Sequence, residues 1–136
     1  MIGLNFEQSV IETEQRLSDD LLRRIELAVN SDLSADGDIS IRFVTDSEIR
    51  RLNRMYRKKD EVTDVLSFGY PDNKENIGDI AISYDEAVRQ ASGSVEHEVV
   101  DLVVHGILHV LGYDHEKPGE DKEMFSLQDK IVEHII

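Results

Sequence analysis

The stretch from Val95 to Leu111 constrains the fold more than any other. Val95, Val99, Val100, Leu102, Val103, Val104, Ile107, Leu108 and Leu111 nearly encircle it, leaving no broad polar face. A helix that is apolar all round has to be buried, so this one belongs at the centre of its domain. It also carries His105 and His109, four residues apart, whose imidazoles project from one face about one turn from each other. Gly112 follows the last apolar residue and fits a glycine that reverses the chain in a left-handed conformation. That reversal carries His115 back over the helix end. Three of the five histidines thus fall in one short run. Packing alone explains three clustered neutral imidazoles poorly. One zinc ion bound by His105, His109 and His115 explains them, and three protein ligands with an open fourth position mark a catalytic site.

The ligand spacing coincides with the metzincin protease pattern HExxHxxGxxH at each histidine and at the glycine. It departs where the chemistry changes. Gly106 stands where those enzymes have the glutamate that acts as general base. A glycine takes no proton, so protease-like metal geometry is expected here without the protease mechanism.

With 136 residues, 40% of them hydrophobic, the chain is expected to form a single domain over 1–136. It has no cysteine, which excludes disulfides, zinc-thiolate sites and thiol nucleophiles and suits a reducing compartment. Met1 to Asp20 shows no basic segment followed by an apolar run, and Val99–Leu111 is too short and too interrupted to span a bilayer. A cytoplasmic protein without a membrane partner is expected. The net charge of −14 argues against nucleic-acid binding through the overall field. The charge is uneven, however. Arg50, Arg51, Arg54, Arg57, Lys58 and Lys59 hold six of the fifteen basic residues. Such a run reads either as a solvated helix face or as a local patch that engages phosphates.

Ile2–Phe6 is expected to open the fold as a strand, and Ser18 to cap a helix running to about Asn30 with Leu21, Leu22, Ile25 and Val29 as its stripe. Ile39–Val44 alternates as a half-buried strand does. Thr45 or Asp46 caps the next helix, with Ile49, Leu52, Met55 and Tyr56 expected on its inner face. Val62–Phe68 and Ile77–Ser83 read as strands that pair antiparallel across the loop 69–76, followed by a helix over Tyr84–Ala91. Ser94 caps the buried helix. Glu120–Ile136 closes the chain as a helix with Met124, Leu127, Ile131 and Ile135 on one face.

Four blocks, in this order, carry a resemblance: LNRMYRKKD (52–60), TDVLSF (63–68), Gly78-Asp79-Ile80 and VHGILHVLGYDH (104–115). They resemble the YbeY family, bacterial metal-dependent endoribonucleases of ribosomal RNA maturation. Val62 and Gly69 stand where that family commonly has proline, a difference of loop stiffness. The resemblance implies an α/β (α+β) domain of the zincin type: a small mixed sheet of about four strands, about five helices and a central metal-bearing helix. It also implies a zinc at the three histidines and single-stranded RNA, ribosomal RNA in particular, as substrate, with the ribosome or its proteins as partners.

The reaction that fits both readings is phosphodiester hydrolysis by a metal-activated water. Arg57 matches the arginine of the first block, and its guanidinium fork suits a phosphate gathering charge. Without the resemblance it reads as a solvent-facing helix residue. The general base is open. Asp114 adjoins a ligand and is either that base or a partner orienting an imidazole, with Asp64 and Asp79 as weaker candidates. His97 reads as a helix-surface residue and His134 as a cation suited to the last helical turn. Two other functions compete. One is a metallohydrolase of another class, a peptidase or amidase. The other is a non-catalytic ribosome-assembly factor whose metal only fixes the helix end.

Overall fold

A computed structural model describes residues 1–114 and 116–136. Its elements are β1 (Ile2–Glu7), α1 (Asp19–Asp32), β2 (Gly37–Val44), α2 (Asp46–Arg57), β3 (Val65–Gly69), β4 (Asn76–Ser83), α3 (Tyr84–Gln90), α4 (Val95–Val110) and α5 (Glu120–Ile135). The helix starts follow from their caps. Ser18, Thr45, Ser83 and Ser94 each accept a hydrogen bond from the backbone N–H three residues on, satisfying an otherwise orphaned donor.

The strands form one mixed sheet in the order β1-β2-β4-β3. β1, β2 and β4 run parallel, and β3 lies antiparallel on the β4 edge, as expected for that pair. Alternation along the strands separates two faces. Ile39, Ile41, Phe43, Ile80 and Ile82 join the buried residues of α1, α4 and α5 in the main core. Val44, Leu66 and Ala81 point the other way and meet Ile49 and Leu52 of α2. Eight residues of α4 are buried, which makes it the central helix its composition demands.

The departures lie at element ends and on α2. The third strand starts at Val65 rather than Val62, which is exposed, and α1 continues past Asn30 to Asp32. Met55 and Tyr56 are 56% and 60% exposed rather than internal. α2 covers only part of its sheet face, so its last turn overhangs an open stretch of sheet. No described helix is long and apolar enough to cross a membrane.

Candidate active site

The last turns of α4 lie hard against β3 and β4, and Gly106 makes this possible. A Cβ on Gly106 would sit 2.9 Å from Ile80 Cγ2 and 3.2 Å from Ser67 Oγ. The position that carries a glutamate in metzincins is therefore a packing surface here, with no room for an acid. His105 and His109 flank this contact and turn half-buried imidazoles toward a cleft of about 840 Å³ on the edge side of β3. Arg57, Lys59, Asp64 and Asp114 also line that cleft.

The two imidazoles address each other. Their Nε2 atoms are 3.2 Å apart, with the rings at 72°. His105 Nδ1 lies 2.9 Å from Gln128 Oε1, which can only accept. Nδ1 therefore carries the proton, and Nε2 keeps its lone pair. Phe125 stacks on the same ring at 6.2 Å. A tetrahedral ion with ~2.0–2.1 Å bonds holds two ring nitrogens about 3.3–3.4 Å apart, so the pair fits the spacing of a shared divalent ion. A direct N–H···N hydrogen bond has a similar length. The third expected ligand, His115, lies outside the described residues. Among the described residues no group of three metal-ligating side chains assembles.

The chain turns at Gly112, just after α4. Gly112 has φ of 100°, its N–H donates to His109 O at 3.0 Å, and the Tyr113 N–H donates to Leu108 O at 3.0 Å. Those two bonds make a Schellman closure, which requires the left-handed residue. Among the described residues nothing lies within 4 Å of a Cβ placed there, and it is the positive φ that calls for glycine.

Arg57 reaches this cleft from the last turn of α2. Its Nη2 donates to the Ser67 carbonyl at 3.0 Å, and its guanidinium lies 5.8 Å from the Phe68 ring centre. Lys58 next to it ends the helix in a left-handed conformation, φ 58°. The buried Asn53 side chain pins the following turn by donating to Glu61 O at 3.0 Å. The rest of the basic run is partly neutralised. Arg50 and Arg54 lie 2.9 and 3.7 Å from Asp60, and Arg51 lies 2.6 Å from Glu48. Arg50 holds the Asp60 carboxyl below its ordinary pKa. Among the described residues, Arg57 enters no such ion pair.

The carboxylates named as general-base candidates part ways. Asp114 stays at the cleft, where its Oδ1 accepts from the Glu116 N–H at 2.9 Å. Asp64 also lines the cleft, its oxygens taken by the Val65 N–H at 2.7 Å and Gln90 Nε2 at 3.0 Å. Asp79 projects on the opposite sheet face and accepts from Tyr70 Oη at 2.7 Å. His97 is an exposed helix residue as expected, and His134 pairs with Asp32 at 2.8 Å.

Gln128 and Asn53 are site residues that the sequence reading passed over. Both had a signal. Gln128 interrupts the 124–131–135 stripe of α5 at a core-facing position, and Asn53 adjoins Leu52 on the inner arc of α2. A polar residue inside an apolar stripe announces a buried partner.

Comparison with known proteins covers nearly the whole chain. The family described as Endoribonuclease YbeY matches residues 4–136. The Endoribonuclease YbeY of Acholeplasma laidlawii is 44% identical over 108 residues, covering 76% of this chain and 79% of that protein. The one from Oceanobacillus iheyensis is 35% identical over 145 residues, covering 95% and 94%. The solution structure of TM1509 from Thermotoga maritima superposes with a TM-score of 0.67 at 33% identity, over 99% of this chain and 89% of that one. By the matched span and by the identity across it, the chain belongs to the Endoribonuclease YbeY family.

Proposed function

We propose that this chain is an endoribonuclease that hydrolyses phosphodiester bonds of single-stranded ribosomal RNA in the cytoplasm during ribosome maturation. The whole chain serves as one catalytic domain and works beside the ribosome or its proteins. The observation that carries this reading is the convergence on one cleft of two facing histidine Nε2 atoms and an arginine outside any described ion pair. His105, His109 and His115 would hold one zinc ion. Bound there, it supplies Lewis acidity and a water of lowered pKa.

The chain's own residues supply the rest. Gln128 keeps His105 in the tautomer that offers Nε2. Arg57, anchored on the Ser67 carbonyl at the β3 edge, presents the remaining donors of its fork to phosphate oxygens and offsets charge built up at phosphorus. Lys59 adds positive charge in the same cleft. For Asp114 we take the positioning role of the two open from the sequence. Its Oδ1 already accepts from the Glu116 N–H, which occupies one of its carboxylate oxygens.

The test is metal analysis with RNA cleavage on the wild type, His109→Ala, Arg57→Ala and Arg57→Lys. His109→Ala should lose zinc and cleavage together. Both Arg57 variants should keep zinc and fold, and lysine should restore little because it lacks the fork. Wild-type cleavage by Arg57→Ala with zinc in place would end the role given to Arg57.

A further inference from the structure

We infer that the open sheet face beside α2 is a nucleobase subsite, which takes a base of the same RNA strand whose phosphate lies in the histidine cleft. The inference rests on the ribonuclease reading and concerns a second cavity. That cavity, of about 950 Å³, lies on the far side of β3 from the histidines. Three observations define what enters it.

The first is continuity. Arg57 and Ser67 line both cavities, and the bond between the Arg57 guanidinium and the Ser67 carbonyl lies at their junction. A strand held at Arg57 by a phosphate passes over the β3 edge from one cavity into the other.

The second is the wall. Tyr56 and Phe68 meet edge to face with ring centres 5.2 Å apart, and Tyr70 lines the same space. Tyr56 is 60% exposed, although a tyrosine at this helical position would ordinarily cover the sheet beneath it. An aromatic wall of this kind offers a base a π-face to stack on.

The third is charge. Beside Arg42 and Arg57 the floor carries two carboxylates, Glu7 and Asp79, which would repel a phosphate. A neutral base meets no such penalty. Asp79 directly opposes Phe68 across the β3–β4 pair, so its carboxylate stands beside the stacking surface. Tyr70, its pKa pushed up to about 12 chiefly by the Asp79 hydrogen bond, stays protonated and holds that carboxylate in place. A carboxylate accepts and never donates, so the base it suits best is guanine, whose N1–H and exocyclic amino group donate side by side, whereas uracil offers it only N3–H.

The experiment is equilibrium binding of zinc-loaded protein to fluorescent 2′-O-methyl RNA heptamers by anisotropy, with a single abasic residue moved along the strand. For the wild type, one abasic position should weaken binding about tenfold, the size of one base–aromatic stack. Tyr56→Leu should bind the intact heptamer about tenfold more weakly and be indifferent to that gap. Asp79→Asn should narrow the preference for guanine over uracil there. A scan with no outstanding position, or one with the same position and size in wild type and Tyr56→Leu, overturns the subsite. The two readings separate cleanly. If ordinary RNA is cut while the scan is flat, only the subsite is lost. If the scan behaves as expected but ordinary RNA is not cut, only the ribonuclease reading is lost.

Discussion

Gln128 decides which nitrogen of His105 can face the cleft. Its amide oxygen accepts, so Nδ1 must donate, and the lone pair is left on Nε2. Removing that acceptor by Gln128→Leu should lower zinc affinity ~10–100-fold, the usual cost of losing a partner behind a ligating histidine. Chelator competition measures this, and Gln128→Glu, which keeps an acceptor, should recover most of it. Equal affinities in the wild type and the leucine variant would show that the tautomer is set by something else. Gly112 acts through its backbone alone. At φ 100°, Gly112→Ala should cost about 1–2 kcal/mol, and Gly112→Val more, because Cβ crowds the carbonyl in that region. Melting temperature and zinc content should fall together; unchanged values would mean that the turn re-forms differently. At this scale the sequence was legible where chemistry is local. The histidine spacing and the left-handed glycine follow from neighbours in the chain. The His105–Gln128 bond joins positions 23 residues apart, and no local rule specifies it.

Between elements, the decisive contact is α4 on β3 and β4. Gly106→Ala should destabilise by about 1–3 kcal/mol, because a methyl at 2.9 Å from Ile80 must push the helix or the strand. Gly106→Glu writes the protease pattern HExxH into the chain but should unfold the joint rather than create a peptidase. A folded, peptide-cleaving Gly106→Glu variant would revive the metallopeptidase reading. A second joint links α2 to the end of β4. Asp46 accepts from the Arg89 guanidinium and from the buried Ser83 hydroxyl, each at 2.8 Å. The Arg89 hydrogen bond is the main reason its carboxyl pKa lies below the ordinary 3.8. A depressed folded pKa contributes stability above the unfolded value and loses it as pH falls through the folded one. The melting temperature of Asp46→Asn should therefore be lower than wild type at neutral pH and fall less steeply below about pH 4. Parallel curves would remove Asp46 from the acid limb. The element types were readable because periodicity and serine caps are local signals. The exposure of Met55 and Tyr56 was not, since helical period locates a stripe but not where the sheet beneath it ends.

For the molecule as a whole, the question is how a chain of net charge −14 holds a polyanion. At physiological salt the Debye length is about 8 Å, so carboxylates farther away are largely screened from the cleft. What remains is local. Arg50, Arg51 and Arg54 are engaged by Asp60 and Glu48, which leaves Arg57, Lys59 and Lys117 as the basic side chains lining the cleft among the described residues. The clustered basic run seen in the sequence is thus a poor guide to the number of phosphates held, because each pairing depends on where the chain folds. Single-stranded RNA loses affinity with salt at about −0.7 per neutralised phosphate on logarithmic axes. Three cleft cations give an expected slope near −2, whereas a phosphate track built from all six basic residues of 50–59 would give about −4. Below roughly 50 mM salt the slope should flatten, since the acidic body is no longer screened and opposes the approaching strand. Anisotropy titrations with a 2′-O-methyl heptamer from about 20 to 300 mM salt measure both features. Arg57→Ala should reduce the slope by roughly 0.7, while Arg54→Ala should leave it unchanged. A slope near −4, reduced equally by both variants, would mean that the ion pairs open on binding and that RNA runs along the outer face of α2 instead of over the β3 edge.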